Sequence, residues 1–331
     1  MGLLRPPDWS YREDGLVVTT VDPAASELAM AELTALMERA WRDDDQELGE
    51  RNLIPSHVFD GQAKQGNLLV TTDERTGDLV GFVNFVTPVE GPGRDHWVYS
   101  HTVGVDPGWK DCGVGTVSKR AQAAYLDEFG YRGMAWTFDP KQGRNARLNF
   151  HKLGCVNLEF RPNQYPELPG LPADRFVPML DFESARYREV IDRGELEPIA
   201  YDEVVHAIVL DDDHRLDEER SAVALGGDEV EGGTIPDDCP LLVDNPWDFD
   251  ALGADDDPSP PQWEIHEAHR ELFGAVLDSP AGEGSHVVVD YLSPAEVRTR
   301  TGCDSVHPGY VLLPRSSVAG DLPGSTGATT W

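Results

Sequence analysis

A short loop between two regular segments is the feature of this sequence that most restricts its fold. The residues K-D-C-G-V-G at positions 110–115 follow a β-rich run at 97–105 and precede a helical pattern at 116–129. A strand, a glycine-containing turn and a helix start bring unpaired backbone N–H groups together, and the helix dipole adds partial positive charge. The pattern therefore predicts an α/β fold with an anion site, and phosphate is the natural occupant.

The segments around this loop alternate between strand and helix patterns. Apolar and β-branched runs predict strands at 16–20, 67–72, 79–86, 97–105 and 133–138, and the turn-forming residues between 72 and 79 predict a hairpin. Helical spacing of apolar residues predicts helices at 24–41 and 116–129, and Gly130 follows the second one, where helices commonly end. The first part of the chain is thus predicted to form an α/β domain.

The amino-acid composition of the chain changes beyond about residue 181. Acidic residues dominate 211–219, glycine and acidic residues follow, and we interpret about 211–236 as a surface linker. Further elements are predicted at 240–243, 261–277, 286–291 and 310–313, and the last dozen residues are expected to fray. We therefore predict a first domain at 1–180 and an additional C-terminal α+β segment at 181–331.

Two nucleotide-binding motifs compete for the loop and both fail. The dinucleotide fingerprint G-x-G-x-x-G requires a third glycine where Ser118 stands, after Gly113 and Gly115. The P-loop requires G-K-[ST], which is missing here. Neither motif therefore describes this loop.

The loop resembles the core motif of the GNAT superfamily of N-acetyltransferases, V-x-P-x-aromatic followed by [RQ]-x-x-G-x-[GA]. The matching positions, in order, are Val105, Pro107, Trp109, Lys110, Gly113 and Gly115, with Lys110 in place of Arg or Gln. The segment N-A-R-L-N-F-H-K-L-G-C at 145–155 resembles the second motif, A-x-x-L-Y-x-x-x-G-F. Phe150 stands there at the position of the tyrosine that protonates the leaving thiolate in most members.

Further runs resemble one branch of predicted acetyltransferases within this superfamily. They are S-H at 100–101, W-T-F-D-P at 136–140, R-N-A at 144–146 and K-L-G at 152–154. The resemblance is strong from about 83 to 177 and looser elsewhere. It implies a mixed, mainly antiparallel central sheet flanked by helices, and an acyl-coenzyme A, either acetyl-CoA or succinyl-CoA, as co-substrate.

The resemblance also implies which residues hold the co-substrate. Backbone near Thr102 would pair with the pantetheine arm, and the loop and helix start would bind the pyrophosphate. The cofactor-binding residues expected on this basis are Val103, Val105, Lys110, Asp111, Cys112, Gly113, Val114, Gly115 and Thr116. The acceptor is expected to be a small amine or amino acid, attacked directly in a ternary complex.

Candidates for the chemistry lie beside these positions. His101 is the candidate general base or substrate ligand, because imidazole titrates in a suitable range; the alternative is a histidine hydrogen-bonded within the sheet. Asp139 ends the following strand and is the candidate for orienting the amine; the alternative is a helix-capping or turn role forced by Pro140. Arg144 and Asn145 open the second-motif helix, where they cap it or bind a carboxylate of the acceptor.

The proton for the departing thiolate has several candidate sources. Phe150 cannot supply it, which leaves water, His151 or Cys112, or no enzymatic acid at all, since a thiolate leaves readily. We expect His151 to be an exposed helical residue. A catalytically silent GNAT module that binds acyl-CoA or a partner remains the alternative function.

The histidine-rich run E-I-H-E-A-H-R-E at 264–271 is not a zinc motif. The H-E-x-x-H pattern needs histidines four residues apart, and His266 and His269 are three apart. We interpret this run as a solvated helix face. The four cysteines, Cys112, Cys155, Cys239 and Cys303, form no C-x-x-C pair, so neither a metal site nor a disulfide framework is predicted.

The charge of the chain excludes several classes of partner. Its 331 residues carry 60 acidic and 27 basic side chains, and the formal net charge of −33 repels nucleic acid and anionic lipid. Only five lysines occur, a bias that together with the acidity indicates adaptation to high salt. The sequence shows neither a signal peptide nor a membrane-spanning run, so we predict a halophilic cytoplasmic protein, with a homodimer as the default assembly.

Overall fold

The fold is taken from a computed structural model of the chain. It describes residues 9–21, 27–40, 54–88, 93, 95–166, 170–194, 196–197, 200–222, 235–253, 258–278, 283–318 and 322. Contacts divide the chain into two compact units, Met1–Trp136 and Thr137–Trp331. The predicted domain limits at 180 and 181 stay a prediction.

The first unit contains a six-stranded mixed sheet with helices on both faces. Its elements are β1 Ser10–Glu13, β2 Leu16–Thr20, α1 Glu27–Ala40, α2 Ser56–Gln65, β3 Leu68–Asp73, β4 Leu79–Val86, β5 Trp97–Val105, α3 Val114–Glu128 and β6 Gly133–Ala135. The strands lie in sequence order, antiparallel from β1 to β5, whereas β5 and β6 are parallel. The predicted hairpin of β3 and β4 is confirmed, while the predicted strand at 133–138 is shorter, ending at Ala135 in this unit.

Alternation along the strands directs side chains to helices on opposite faces of this sheet. Phe82 of β4 packs with Phe59 of α2, ring edge to ring face at 5.3 Å, inside a core that includes Leu33 and Leu36 of α1. The preceding residue, Gly81, faces α3 on the other side. Strand β4 is therefore buried on both faces.

Two glycines let these layers approach closely. A Cβ atom on Gly81 would lie 2.7 Å from Val114 Cγ1 of α3, and one on Gly104 would lie 2.3 Å from the buried ring of Phe82. Real Cβ contacts do not occur at such distances, so glycine is required at both positions. The first contact fixes α3 against β4, directly after the loop that follows β5.

The second unit contains another six-stranded sheet. Its elements are α4 Gly143–Ala146 continued by π-helical turns at Arg147–Lys152, β7 Val156–Arg161, β8 Arg175–Asp181, α5 Ala185–Arg193, β9 Val205–Ile208, β10 Leu241–Asp244, α6 Pro260–Val276, β11 His286–Leu292, α7 Pro294–Thr301 and β12 Gly309–Pro314. The strand order is β8-β7-β11-β12-β10-β9, antiparallel except for β9 with β10. The predicted mixed, mainly antiparallel sheet flanked by helices is confirmed, with its additional C-terminal segment.

The core of the second unit combines aromatic rings with buried charges. The aromatic members are Phe138, Phe150, Phe160, Phe176, Phe273 and Tyr310. Asp290 of β11 accepts hydrogen bonds from Arg300 Nη2 of α7 at 2.8 Å and from Tyr201 Oη at 3.2 Å. Burial raises the pKa of Asp290, but His151 and Arg300 outweigh it and lower that pKa to about 2. The charged pair therefore stays ionised inside the fold.

Part of the predicted linker lies within the described residues. Residues 211–222 form turns, closed by an isolated bridge between Leu210 and Leu216. The rest of the linker, at 223–234, lies outside the described residues, as do most of the last dozen residues expected to fray. Across the described part of the chain, no helix is sufficiently long and apolar to span a bilayer.

Glycine at position 104 is testable by substitution. We expect Gly104→Ala to lower the free energy of unfolding by about 1–3 kcal/mol, because the added methyl group forces the buried Phe82 ring to move. Urea unfolding followed by circular dichroism measures the change.

The matched control is Gly61→Ala, in helix α2 of the same unit. A Cβ atom on Gly61 meets nothing within 4 Å, so alanine is expected to raise stability by about 0.5–1 kcal/mol through helix propensity. Equal effects of the two substitutions would contradict the close approach at Gly104.

Candidate functional site

The loop predicted to bind an anion joins β5 to α3 through two left-handed residues. A 3₁₀ turn, Pro107–Trp109, follows Asp106, and Asp111 and Gly113 then adopt φ values of +63° and +83°. Glycine accommodates this conformation without strain, and aspartate tolerates it better than most residues. The chain thus reverses direction and begins α3 at Val114.

Helix α3 begins without a side-chain cap. Its N-cap residue is Gly113, which has no side chain to accept a hydrogen bond, and the first helical bond runs from Val117 N–H to Gly113 C=O at 3.0 Å. Among the described residues, no hydrogen bond is seen from the N–H groups of Val114, Gly115 and Thr116. These donors and the helix dipole together favour an anion at this end.

A brace from α1 holds the start of the loop. Asp106 Oδ1 accepts the Gly108 N–H at 2.9 Å, while Oδ2 accepts Arg39 Nε and Nη2 at 3.0 and 2.8 Å. Desolvation raises the pKa of Asp106, but the hydrogen bonds from Arg39 and Gly108 outweigh it and lower the pKa overall. The carboxylate is therefore ionised at neutral pH, and it fixes the turn before α3.

Strands β5 and β6 separate and leave one edge of β5 open. Their parallel pairing ends at Tyr99 and Ala135, whereas β4 pairs with β5 as far as Val105. Asp106 N–H donates to Val80 C=O, so by antiparallel alternation the backbone groups of Val103 and Val105 point away from β4. They line the open edge, as an extended ligand pairing with the strand would require.

His101 lies at a bulge just beyond the point of separation. The register places Phe85 opposite Ser100 and Asn84 opposite Thr102, so His101 is the extra residue of β5. Its Nδ1 lies 2.7 Å from Thr102 Oγ1, and its ring stands edge-on to Tyr99 at 6.1 Å. Partial desolvation lowers the pKa of His101, so its imidazole is neutral at pH 7, the form that can accept a proton.

The other residues predicted to bind the cofactor differ in exposure. Lys110, Asp111 and Cys112 are exposed in the loop. Gly115 and Thr116 are half-buried, and Val114 is buried against the sheet. The structure therefore brings the predicted cofactor-binding residues together, from the open edge of β5 through the loop to the first turn of α3. Their ligand role stays a prediction.

The other predicted site residues belong to the second unit. Asp139 Oδ1 accepts the Lys141 backbone N–H at 2.9 Å and Lys141 Nζ at 3.0 Å, and Arg175 Nη1 lies 3.7 Å from Oδ2. Lysine and arginine thus already neutralise the carboxylate. Arg144 and Asn145 are exposed in the first turn of α4, and Arg144 Nη2 lies 3.5 Å from Asp248 Oδ2.

The second motif places its aromatic residue in the core. Phe150 is fully buried, with ring centroids of Phe138, Tyr310 and Phe176 at 5.9, 6.0 and 6.5 Å. The prediction that His151 is exposed was wrong. Its side chain is only 13% exposed, because Nδ1 lies 3.1 Å from Asp290 Oδ1 and Nε2 lies 3.6 Å from Glu296 Oε1.

The interpretation of the run at 264–271 as a solvated face was wrong for its histidines. His266 and His269 are 3% and 2% exposed, because they share the inner face of α6 with Ala268 and Leu272. His269 Nε2–H donates to Asp244 C=O at 2.9 Å. Desolvation lowers the pKa of His269 to about 4 and that of His266 to about 3, so both are neutral in the folded unit.

The ion pair of Asp106 with Arg39 could not be predicted from sequence, because the two residues are 67 positions apart. A cluster around Lys119, Ser100 and Trp136 was also missed. The rarity of lysine in this chain is the signal that would have drawn attention to Lys119.

Comparison with known proteins adds a family match. Residues 30–155 match the model of the Acetyltransferase (GNAT) family. No curated protein sequence matches this chain. The matched stretch begins in α1 and ends just after the π-helical turns, so it includes both motifs identified above.

Solved structures with a similar fold include acetyltransferases from several bacteria. The ribosomal-protein-S18-alanine N-acetyltransferase of Escherichia coli is 14% identical, with a TM-score of 0.39, covering 51% of this chain and 96% of its own. A GNAT-family acetyltransferase of Bacillus anthracis is 13% identical, with a TM-score of 0.41, covering 53% and 99%. The structure of yncA of Salmonella typhimurium with its cofactor acetyl-CoA is 16% identical, with a TM-score of 0.39, covering 52% and 97%. Because these TM-scores are below 0.5, the similarity of the chain to known proteins rests on the family match at residues 30–155.

The buried histidines predict acid sensitivity of the second unit. Each has a folded pKa below its unfolded value near 6.5, so the stability they contribute is present above pH 6.5 and is lost as the pH falls toward 4 for His269 and toward 3 for His266. Between pH 8 and pH 5, His269 alone is expected to remove about 2 kcal/mol from the free energy of unfolding.

Urea unfolding at the two pH values measures this loss. His269→Gln keeps an N–H donor for Asp244 and is expected to reduce the loss by about 2 kcal/mol. The exposed His57 provides the control, and His57→Gln should keep the wild-type difference. An identical loss in wild type and His269→Gln would contradict the assignment of acid sensitivity to His269.

Proposed function

We propose that this chain, whose residues 30–155 match the model of the Acetyltransferase (GNAT) family, transfers an acyl group from an acyl-coenzyme A to an amine. The acyl group is acetyl or succinyl, and the acceptor is a small amine or amino acid. The family match supports acyl transfer from an acyl-CoA. The acyl group, the acceptor and a location in the cytoplasm of a salt-adapted organism belong to the proposal, as does a homodimer.

The uncapped start of α3 is the observation that carries the proposal. Three backbone donors, of Val114, Gly115 and Thr116, lie across the loop 106–113 from a strand whose edge is open at Val103 and Val105. A ligand with a pyrophosphate at one end and an extended, amide-bearing arm satisfies both features. Coenzyme A has this construction, so the residues present fit it.

The residues of β5 would direct the transfer. In this proposal the backbone of Val103 and Val105 pairs with the pantetheine arm, and an N–H group of that edge polarises the thioester carbonyl. His101, neutral at pH 7, accepts a proton from the acceptor amine, directly or through water. The amine nitrogen forms its bond to the acyl carbon, the C–S bond breaks, and the electron pair of that bond leaves on sulfur.

The other candidate residues for the reaction lie in the second unit. Asp139, which is ion-paired with Lys141 and lies near Arg175, is retained in this proposal as the candidate for orienting the amine. Arg144 is exposed and is retained as a candidate for binding a carboxylate of the acceptor. Phe150 supplies no proton and instead packs among aromatic rings.

A silent module that binds acyl-CoA without turnover is the second candidate function. The buried Phe150 favours it, because the side chain at this position has no proton to donate. An assay of CoA thiol release in the presence of a panel of amines and amino acids separates the two functions. Both functions require binding of the acyl-CoA.

We expect release of CoA thiol from acetyl-CoA or succinyl-CoA to depend on an acceptor amine and to exceed the rate without acceptor. The assay is run over a range of salt concentrations because of the acidity of the chain. Binding without release for every acceptor would support the silent module. Absence of binding of either acyl-CoA by calorimetry, at every salt concentration, would overturn both functions.

The anion site is tested by placing a carboxylate in it. Gly115→Glu is expected to stabilise the helix start, where an acidic side chain complements the dipole, yet to weaken acetyl-CoA binding by about 10-fold or more through repulsion of the pyrophosphate. Thermal unfolding and isothermal calorimetry measure the two opposite effects.

Ser56→Glu is the matched control for this charge change. It places the same carboxylate in the first turn of α2, which packs on the other face of the sheet, and Ser56 is exposed. This variant should bind acetyl-CoA as wild type does. Unchanged affinity in Gly115→Glu would rule out the start of α3 as the pyrophosphate site.

A further inference from the structure

A buried lysine lies where strands β5 and β6 separate. Lys119, on α3, is 4% exposed, and its Nζ donates a hydrogen bond to Ser100 Oγ at 2.7 Å. The same Nζ lies 3.6 Å from the centroid of the Trp136 ring. An ammonium group over an indole ring is a cation–π contact, which is favourable for the charged form.

The two groups that Lys119 contacts mark the point of separation. The last paired residues of the two strands are Tyr99 and Ala135. Ser100 is the next residue on β5, and Trp136 is the next after β6. The ammonium therefore touches the first residue beyond the pairing on each side, at the closed end of the open edge.

A second polar group joins this cluster. Ser100 Oγ–H donates to Gln122 Oε1 at 2.8 Å, one turn further along α3. Gln122 is fully buried, and its Nε2 atom has no hydrogen-bond partner among the residues that the structure describes. An unpaired buried amide is costly, so this N–H donor is poised for an acceptor that arrives at the same place.

This inference rests on the proposed function, in which the thioester of the acyl-CoA lies at the open edge of β5. Breaking the C–S bond leaves a negative charge on sulfur, and the buried Phe150 has no proton for it. We propose that Lys119 is the positioning residue that stabilises the departing CoA thiolate, by its positive charge and through Ser100. The thiolate then takes its proton from water.

A buried charge has a longer reach than an exposed one, because little water screens it. The other titratable groups on β5 are Tyr99 and His101, and on α3 the nearest in sequence is Arg120, which pairs with Glu13 of β1. Among these groups Lys119 is the buried cation at the separation point. Its field therefore acts on a thiolate placed there.

The pKa of the CoA thiol in the complex is the direct readout. The ratio of the affinities for CoA and for desulfo-CoA, measured by calorimetry as a function of pH, reports this pKa and cancels all groups that both ligands share. We expect wild type to lower the thiol pKa by about 1 unit or more relative to free CoA, as an opposite charge nearby does. The full chain is used throughout.

Two variants separate charge from structure. Lys119→Gln keeps an N–H donor for Ser100 but removes the charge, and it is expected to return the thiol pKa to within about 0.3 unit of the free value. Lys119→Arg keeps the charge and should retain most of the lowering. A purely structural role for Lys119 would change the affinity for both ligands equally and leave the ratio unchanged.

Each outcome decides one question. Binding of neither ligand to wild type would defeat the proposed function itself. Binding of both with an unshifted thiol pKa in wild type would overturn the role of Lys119 and leave the proposed function intact, even if Lys119→Gln fails to fold. A lowered thiol pKa in wild type that Lys119→Gln keeps would equally overturn it.

Discussion

The contact between α3 and the sheet at Gly81 is the constraint on which the rest of the first unit depends. Val114 Cγ1 occupies the space that a side chain on residue 81 would need, so the first turn of α3 sits directly on β4. The chain must therefore leave β5, reverse through left-handed residues and begin a helix within a few positions. The N-terminal N–H groups of α3 and the open edge of β5 therefore belong to one continuous stretch of chain.

Two helices of the second unit have the side-chain caps that α3 of the first unit lacks. Helices α6 and α7 of the second unit begin with full capping boxes, in which Ser259 and Gln262, and Ser293 and Glu296, satisfy each other's backbone donors. Its buried Asp290 is likewise held by several partners. Helix α3 in the first unit has no such cap. The uncapped start of α3 thus resembles that of α2 and differs from those of α6 and α7.

The local sequence pattern was sufficient to predict much of the fold but not the contacts of the candidate site. Strand β5 and helix α3 were predicted closely, since their apolar periods and flanking glycines are local signals. Helix α2 was missed, because it has few apolar residues and its stability comes from packing Phe59 against Phe82. Its start also carries no side-chain cap that would signal a helix.

The partners of charged residues were beyond the reach of sequence for the same reason. His151 meets Asp290, 139 residues further on, and that distant contact decides its burial. The loop residues could be predicted as a group because they are neighbours in sequence. The separation of β5 from β6, and the lysine lying there, depend on strand pairings that no single segment contains.

The π-helical turns at Arg147–Lys152 carry a consequence for evolution. Leu153 N–H bonds to Leu148 C=O, five residues back, which is how a helix accommodates one inserted residue. Because successive residues of an α-helix are turned by about 100°, an insertion rotates every later side chain by that angle relative to the earlier ones. A residue that is assigned to a position after this segment by counting from a position before it therefore points to a different side of the helix than in an uninterrupted α-helix. A descendant that deleted a single residue here would turn a neighbour of Phe150 toward the aromatic core and free that position for a new side chain.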